Sequence, residues 1–314
     1  MTKAPEGLIA PSARLSLDFA GLQLENPTML ASGVLGVTPD LLLRAFEAGA
    51  GAVVAKSVGV SPREGYRNPT VVGVCCGYLN AIGLANPGIS EFAEEMRVLA
   101  GSRLPVFASL FGSNENEFSE IATTLESVDV KGYELNLSCP HVKGVGTEVG
   151  QDPALVARIV SGVKQVTRRP VVVKVSPNVD DIVAIAEAAA EGGADGITAI
   201  NTLRAMTIDV ETYRPILSNR IGGLSGPAIR PVAIRCVYEI SKAVDIPVVG
   251  CGGVTNWSDA VEFLLAGASA VQVGSALATR GYRVFKEISA GLLSYLDRHG
   301  FASVEELVGL SHSY

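Results

Sequence analysis

The stretch PVVVKVSPNVDDIVAIAEAAAEGGADGITAINT, residues 170–202, decides the fold. It opens on ValValValLysValSer at 171–176, an apolar, β-branched run that suits a strand buried on both faces. A segment of helical period follows over Asp180–Glu191. GluGlyGlyAlaAspGly at 191–196 then punctuates the chain, its glycine supplying a left-handed helix cap and its small residues a close return to the sheet. A second run, GlyIleThrAlaIleAsn at 196–201, completes a strand–helix–strand unit.

The same alternation extends in both directions. Strand-like runs recur as ThrMetLeuAlaSer at 28–32, AlaValValAlaLys at 52–56, ProValPheAlaSerLeu at 105–110 and TyrGluLeuAsnLeuSer at 133–138. IleProValValGly at 246–250 and AlaValGlnValGly at 270–274 bring the total to eight. Helical segments lie between them. Pro153–Thr167 carries Leu155, Ile159, Val163 and Val166 along one stripe, with Asp152 as N-cap and Pro153 at the first helical position. Pro231–Val244, Asp259–Ala266 and Tyr282–Leu296 repeat the pattern, and GluAlaGlyAlaGlyAla at 47–52 and AlaGlyAlaSerAla at 266–270 repeat the punctuation.

Eight strand–helix pairs in strict alternation predict a (β/α)8 TIM barrel filling residues 1–314 as a single domain. The alternative, a doubly wound open sheet, fits the count less well. Long loops are expected after strands 2, 4 and 6. Val58–Ile89 and Thr202–Gly226 are the longest, and in a barrel such loops lie on the active face.

Composition narrows the function. With 48% hydrophobic and 18% charged residues the chain is globular rather than disordered. A net charge of −7 without a basic run argues against electrostatic capture of nucleic acid or anionic membrane. The first residues lack the apolar core of a secretory signal, and the uncharged stretches Val71–Ser90 and Phe263–Thr279 are broken by polar residues and glycine. The five cysteines show no CxxC spacing, which argues against a disulfide framework or an iron–sulfur or zinc centre within the chain. A reducing, cytoplasmic setting is expected.

Polar residues collect where the strands end: Ser32 and Gly33, Lys56 and Ser57, Ser109, Asn136 with Ser138 and Cys139, Lys174 and Ser176, and Asn201 with Thr202. The last two strands end in the glycine turns Gly250–Gly253 and Gly274–Ala276, where barrels commonly hold a phosphate on backbone N–H groups. Lysines inside apolar strands need an anion or an electron-rich ring, and a structural ion pair is the competing reading. Cys139, in a loop before Pro140, is the leading reactive atom, and a Cys–His pair with His141 is an alternative that lacks a third orienting group. Cys236 and Cys251 read as packing, and Cys75 and Cys76 receive no role.

The motifs LysSerValGly at 56–59, AsnAlaIleGlyLeuAlaAsnProGly at 80–88, AsnLeuSerCysPro at 136–140, LysValSerProAsn at 174–178, AsnThr at 201–202 and GlyGlyLeuSerGlyProAlaIle at 222–229 occur in one order. In this the chain resembles the class 1 dihydroorotate dehydrogenases, flavin-dependent barrels of pyrimidine synthesis, over nearly its whole length. The resemblance implies oxidation of dihydroorotate to orotate with FMN across the barrel mouth. It implies cofactor contacts from Ala31, Ser32, Gly33, Lys56, Ser57, Ser109, Asn136, Lys174, Gly226, Gly252, Gly253, Gly274 and Ser275. It places the substrate against Lys56, Asn80, Gly83, Leu84, Asn136, His141, Asn201 and Thr202, with Cys139 as general base at C5 and hydride leaving C6.

His141 stands where many class 1 enzymes have asparagine. SerCysProHis at 138–141 is similar to the barrel domain of dihydropyrimidine dehydrogenases, which gives a second reading, a reductase of uracil or thymine. A third is a non-redox phosphate-binding barrel using Lys56 or Lys174 as a Schiff base. The segment 61–70 and the AsnAlaIleGlyLeu motif resemble the NAD-linked subgroup, which implies a homodimeric core and a partner subunit carrying FAD and a 2Fe–2S cluster. No metal site is expected in this chain.

Overall fold

A computed structural model describes residues 13–33, 35–137 and 149–314. Eight parallel strands close into a barrel: β1 (Thr28–Leu30), β2 (Ala52–Val54), β3 (Val106–Leu110), β4 (Gly132–Asn136), β5 (Val171–Val175), β6 (Gly196–Ala199), β7 (Val248–Cys251) and β8 (Ala268–Val273). Each pairs with its neighbours in chain order, and β8 closes on β1 with Val271 opposite Thr28. All five residues of β3, of β4 and of β5 are buried, which explains their unbroken apolar reading. The barrel thus stands where the open sheet was the alternative.

Among the described residues eight helices of two turns or more surround it, besides the single turn Leu277–Arg280: α1 (Pro39–Glu47), α2 (Ile89–Met96), α3 (Glu115–Leu125), α4 (Pro153–Val166), α5 (Ile182–Glu191), α6 (Arg230–Ala243), α7 (Trp257–Leu265) and α8 (Val284–His299). Their ends follow local chemistry. Asp152 caps α4 by accepting from the backbone N–H groups of Ala154 and Leu155. Asp181 caps α5, so that helix starts at Ile182, after the expected Asp180. Asn256 caps α7, so that helix starts at Trp257, before the expected Asp259. The buried face of α4 runs through Val156, Ile159, Val160 and Val163, whereas Val166 is exposed. That turns the expected stripe by part of a residue, because the helix faces α3 and α5 as well as the sheet. The punctuating glycines Gly49, Gly193 and Gly267 all hold positive φ, as the helix-to-strand reversals require.

Two features were not legible as structure in the sequence. A hairpin of Leu17–Phe19 and Leu22–Leu24 turns at Ala20–Gly21, both at positive φ, and closes one end of the barrel. Its Phe19 is fully buried, 6.1 Å from the Phe107 ring in an edge-on arrangement, within a cluster that includes Met29, Val54, Val172 and Val249. At the opposite end the connections after β2 and β6 are not plain loops. Their strands Leu203–Ala205, Gly222–Ser225, Gly77–Asn80 and Val71–Val74 form one antiparallel sheet in that order. No helix among the described residues is long and apolar enough to cross a membrane.

Candidate active site

The C-terminal ends of the barrel strands and the antiparallel sheet above them enclose a cavity of about 500 Å³, within the usual range for a bound organic ligand. The strand-end residues Ala31, Ser32, Gly33, Lys56, Ser57, Asn136, Lys174, Asn201 and Thr202 line it. Asn80, Gly83 and Leu84 enter from the connection after β2, and Gly226 from the one after β6. Gly252, Gly253, Gly274 and Ser275 complete the wall. All of these were singled out in the sequence. Cys139 and His141 lie outside the described residues.

Ser109 was expected with them but stands behind the wall. It is wholly buried, and its hydroxyl meets that of Ser57 at 2.8 Å. A polar chain runs outward from there. Asn136 Nδ2 donates to Ser57 Oγ at 3.0 Å, and Asn201 Nδ2 donates to Asn136 Oδ1 at 3.3 Å. The Asn201 oxygen accepts from the backbone N–H of Thr202 at 2.8 Å. Residues following the second and sixth strands thereby fix which edge of the Asn136 amide is donor and which acceptor.

Lys174 reaches the cavity from the middle of the sheet. Its Nζ donates to Gln272 Oε1 at 2.9 Å and lies 3.5 Å from Glu134 Oε1. Gln272 Nε2 donates to Glu134 Oε2 at 2.6 Å, and Thr198 Oγ1 donates to the same oxygen at 3.1 Å. Burial opposes the ammonium, but the Glu134 carboxylate, with a lesser contribution from Cys251, raises the Lys174 pKa above its ordinary value. Burial pushes the Cys251 thiol up, against the pull of Lys174. Cys251 therefore lines the cavity beside a charge rather than serving only as packing. Glu134 and Gln272 escaped the sequence reading, although an acid inside an apolar strand is the same signal that marked Lys174.

The glycine turns are held by their surroundings. Gly252 has φ +137°, and a Cβ there would stand 2.8 Å from Ala233 Cβ. Gly253 has φ +83°, and its Cβ would meet the Gly226 carbonyl at 2.8 Å. Backbone alone can form this wall, which suits an anionic group bound by N–H donors.

Residues 14–296 match the family model described as dihydroorotate dehydrogenase. The chain belongs to the dihydroorotate dehydrogenase family. It is 52% identical over 297 residues to the dihydroorotate dehydrogenase B (NAD(+)), catalytic subunit, of Pyrococcus furiosus, spanning 95% of this chain and 98% of that one. The same name belongs to relatives from Thermococcus kodakarensis, 50% identical over 95% of this chain and 98% of that one, and from Methanosarcina mazei, 47% identical over 99% of both. Among dihydroorotate dehydrogenases the chain is thus similar to the NAD-linked subgroup indicated by its own motifs.

Proposed function

We propose that this chain is the catalytic subunit of an NAD-linked dihydroorotate dehydrogenase, oxidising dihydroorotate to orotate in pyrimidine synthesis with FMN as its cofactor. The observation that carries the reading is near-full-length identity of about half to relatives of that name, on a barrel whose mouth holds a glycine-walled cavity with polar side chains from the strand ends. The residues present suit FMN. Gly226, Gly252, Gly253, Gly274 and Ser275 would hold the phosphate end on backbone donors. Ala31, Ser32, Gly33 and Ser57, braced by Ser109, would flank the ring and ribityl chain, and Lys174 would offer fixed positive charge to the ring. FMN, when bound, supplies the hydride acceptor.

The chain itself binds and orients the substrate. Lys56 would pair with the carboxylate, while Asn80, Asn136, Asn201 and Thr202 match the alternating donors and acceptors of a pyrimidine. Gly83 and Leu84 would border the ring, and His141 would add a donor. Cys139 removes the C5 proton as general base while the C6 hydrogen leaves with its electron pair. A partner subunit carrying FAD and a 2Fe–2S cluster would supply the route of electrons to NAD, and the catalytic core would be a homodimer in the cytoplasm.

The motif at 138–141 favours a second reading, action on uracil or thymine. A Schiff base on Lys174 is disfavoured, since the Glu134 carboxylate favours its protonated form and a Schiff-base lysine must be a free amine. Anaerobic addition of dihydroorotate to the purified yellow protein should bleach its visible absorption, while dihydrouracil should not. Bleaching by dihydrouracil alone would overturn the assignment.

A further inference from the structure

Cys75 and Cys76 form the two-residue turn between Val71–Val74 and Gly77–Asn80, with Val74 opposite Gly77. Both are exposed, and their sulfurs stand 3.7 Å apart. Cys76 holds φ +62°, where a tight hairpin ordinarily uses glycine or asparagine. A second thiol therefore sits where turn chemistry does not call for one, and neither sulfur fills a core.

Two chemistries suit neighbouring thiols: a disulfide, or joint coordination of one ion. Consecutive Cα atoms are about 3.8 Å apart, less than the roughly 4.4 Å at which disulfides ordinarily begin, and the sulfurs would have to close to about 2.05 Å. Two thiolates on one tetrahedral ion, each at about 2.3 Å, stand about 3.8 Å apart with almost no movement. We propose that Cys75 and Cys76 form an open two-thiolate site for a soft d10 cation of the zinc group. Thiolate ligands select such ions. Two thiolates fill half of a tetrahedral ion's positions, which leaves the others open to water and the ion exchangeable.

The turn is joined to the cavity wall. The Cys76 carbonyl accepts from the Ala228 N–H at 3.1 Å, and Gly226 packs so closely on Gly77 that a Cβ would come within 2.7 Å of the Gly77 Cα. Two residues on, Tyr78 is opposite Ser225, and both line the cavity. An ion held by both sulfurs stiffens this wall.

Cadmium is the probe. Titrated into the reduced holoprotein, Cd²⁺ should bind one equivalent with a thiolate-to-metal absorption that Cys75→Ser/Cys76→Ser lacks, and each single serine variant should bind at least tenfold more weakly. Cys76→Gly suits the positive φ, so it preserves the hairpin and should also lose the ion. Bound Cd²⁺ should slow hydrogen exchange at the Gly77 and Ala228 amides in the wild type only. Cys139, Cys236 and Cys251 are common to every variant and cancel. Equal titration of wild type and Cys76→Gly, no uptake by the reduced wild type, or isolation of the pair as a disulfide two mass units lighter would each overturn the proposal.

Discussion

Glu134 and Lys174 stand on adjacent strands with Oε1 and Nζ 3.5 Å apart, and their side chains are only 1% and 7% exposed. Gln272 touches both, donating to the acid and accepting from the base. A charge inside a barrel strand is tolerable only with such partners. The pair therefore acts as one unit that holds a cation at the cavity floor.

Removing one member should expose the dependence. Glu134→Ala removes the carboxylate that faces the buried Lys174 ammonium and should destabilise the fold by about 3–5 kcal/mol, read from urea denaturation. Because folding raises the Lys174 pKa, its stabilisation is complete below the ordinary value of 10.5 and is lost as pH rises past it. The alkaline loss of stability above that pH should be smaller in Glu134→Gln than in the wild type, the difference cancelling other alkaline titrations such as that of Tyr133, whose pKa is raised by burial and by Glu126.

Gly252→Ala places a methyl group against Ala233 at a φ that L residues avoid. The backbone wall should shift, and the purified variant should carry well under half the flavin per chain found in the wild type, measured by absorbance after denaturation.

Ser109→Ala removes a hydroxyl that never reaches the cavity but braces Ser57. A loss of about 1–2 kcal/mol is expected in urea denaturation. Flavin affinity should weaken with it, whereas the anaerobic rate of flavin reduction by saturating dihydroorotate should stay within a few-fold of wild type.

Cys139→Ala should slow that same reduction by about 10²- to 10⁴-fold, the usual contribution of a general base. Flavin content should remain unchanged, which separates loss of the base from loss of the cofactor. Wild-type rates within a few-fold would remove Cys139 from the mechanism.

Phe19→Ala tests the plug at the far end of the barrel. Deleting a fully buried ring in contact with Phe107 should destabilise by about 3–5 kcal/mol in denaturant titration, with little effect on the substrate Michaelis constant.

Periodicity and punctuation sufficed for the barrel: all eight strands fall on the apolar runs, because a strand covered on both faces must be apolar along its length. The rim was legible for the converse reason. Lys56, Asn136, Lys174 and Asn201 interrupt or end those runs, and a polar group there needs a purpose. Tertiary structure alone decided three things. It put Ser109 behind Ser57, since strand position does not say which way a side chain near the rim faces. It joined Glu134 to Gln272 and Lys174, residues up to 138 apart in the chain, whose meeting depends on barrel closure. It paired the connections after β2 and β6 into one sheet, because four short strands lack the length to declare themselves and acquire their register only when the barrel brings their ends together.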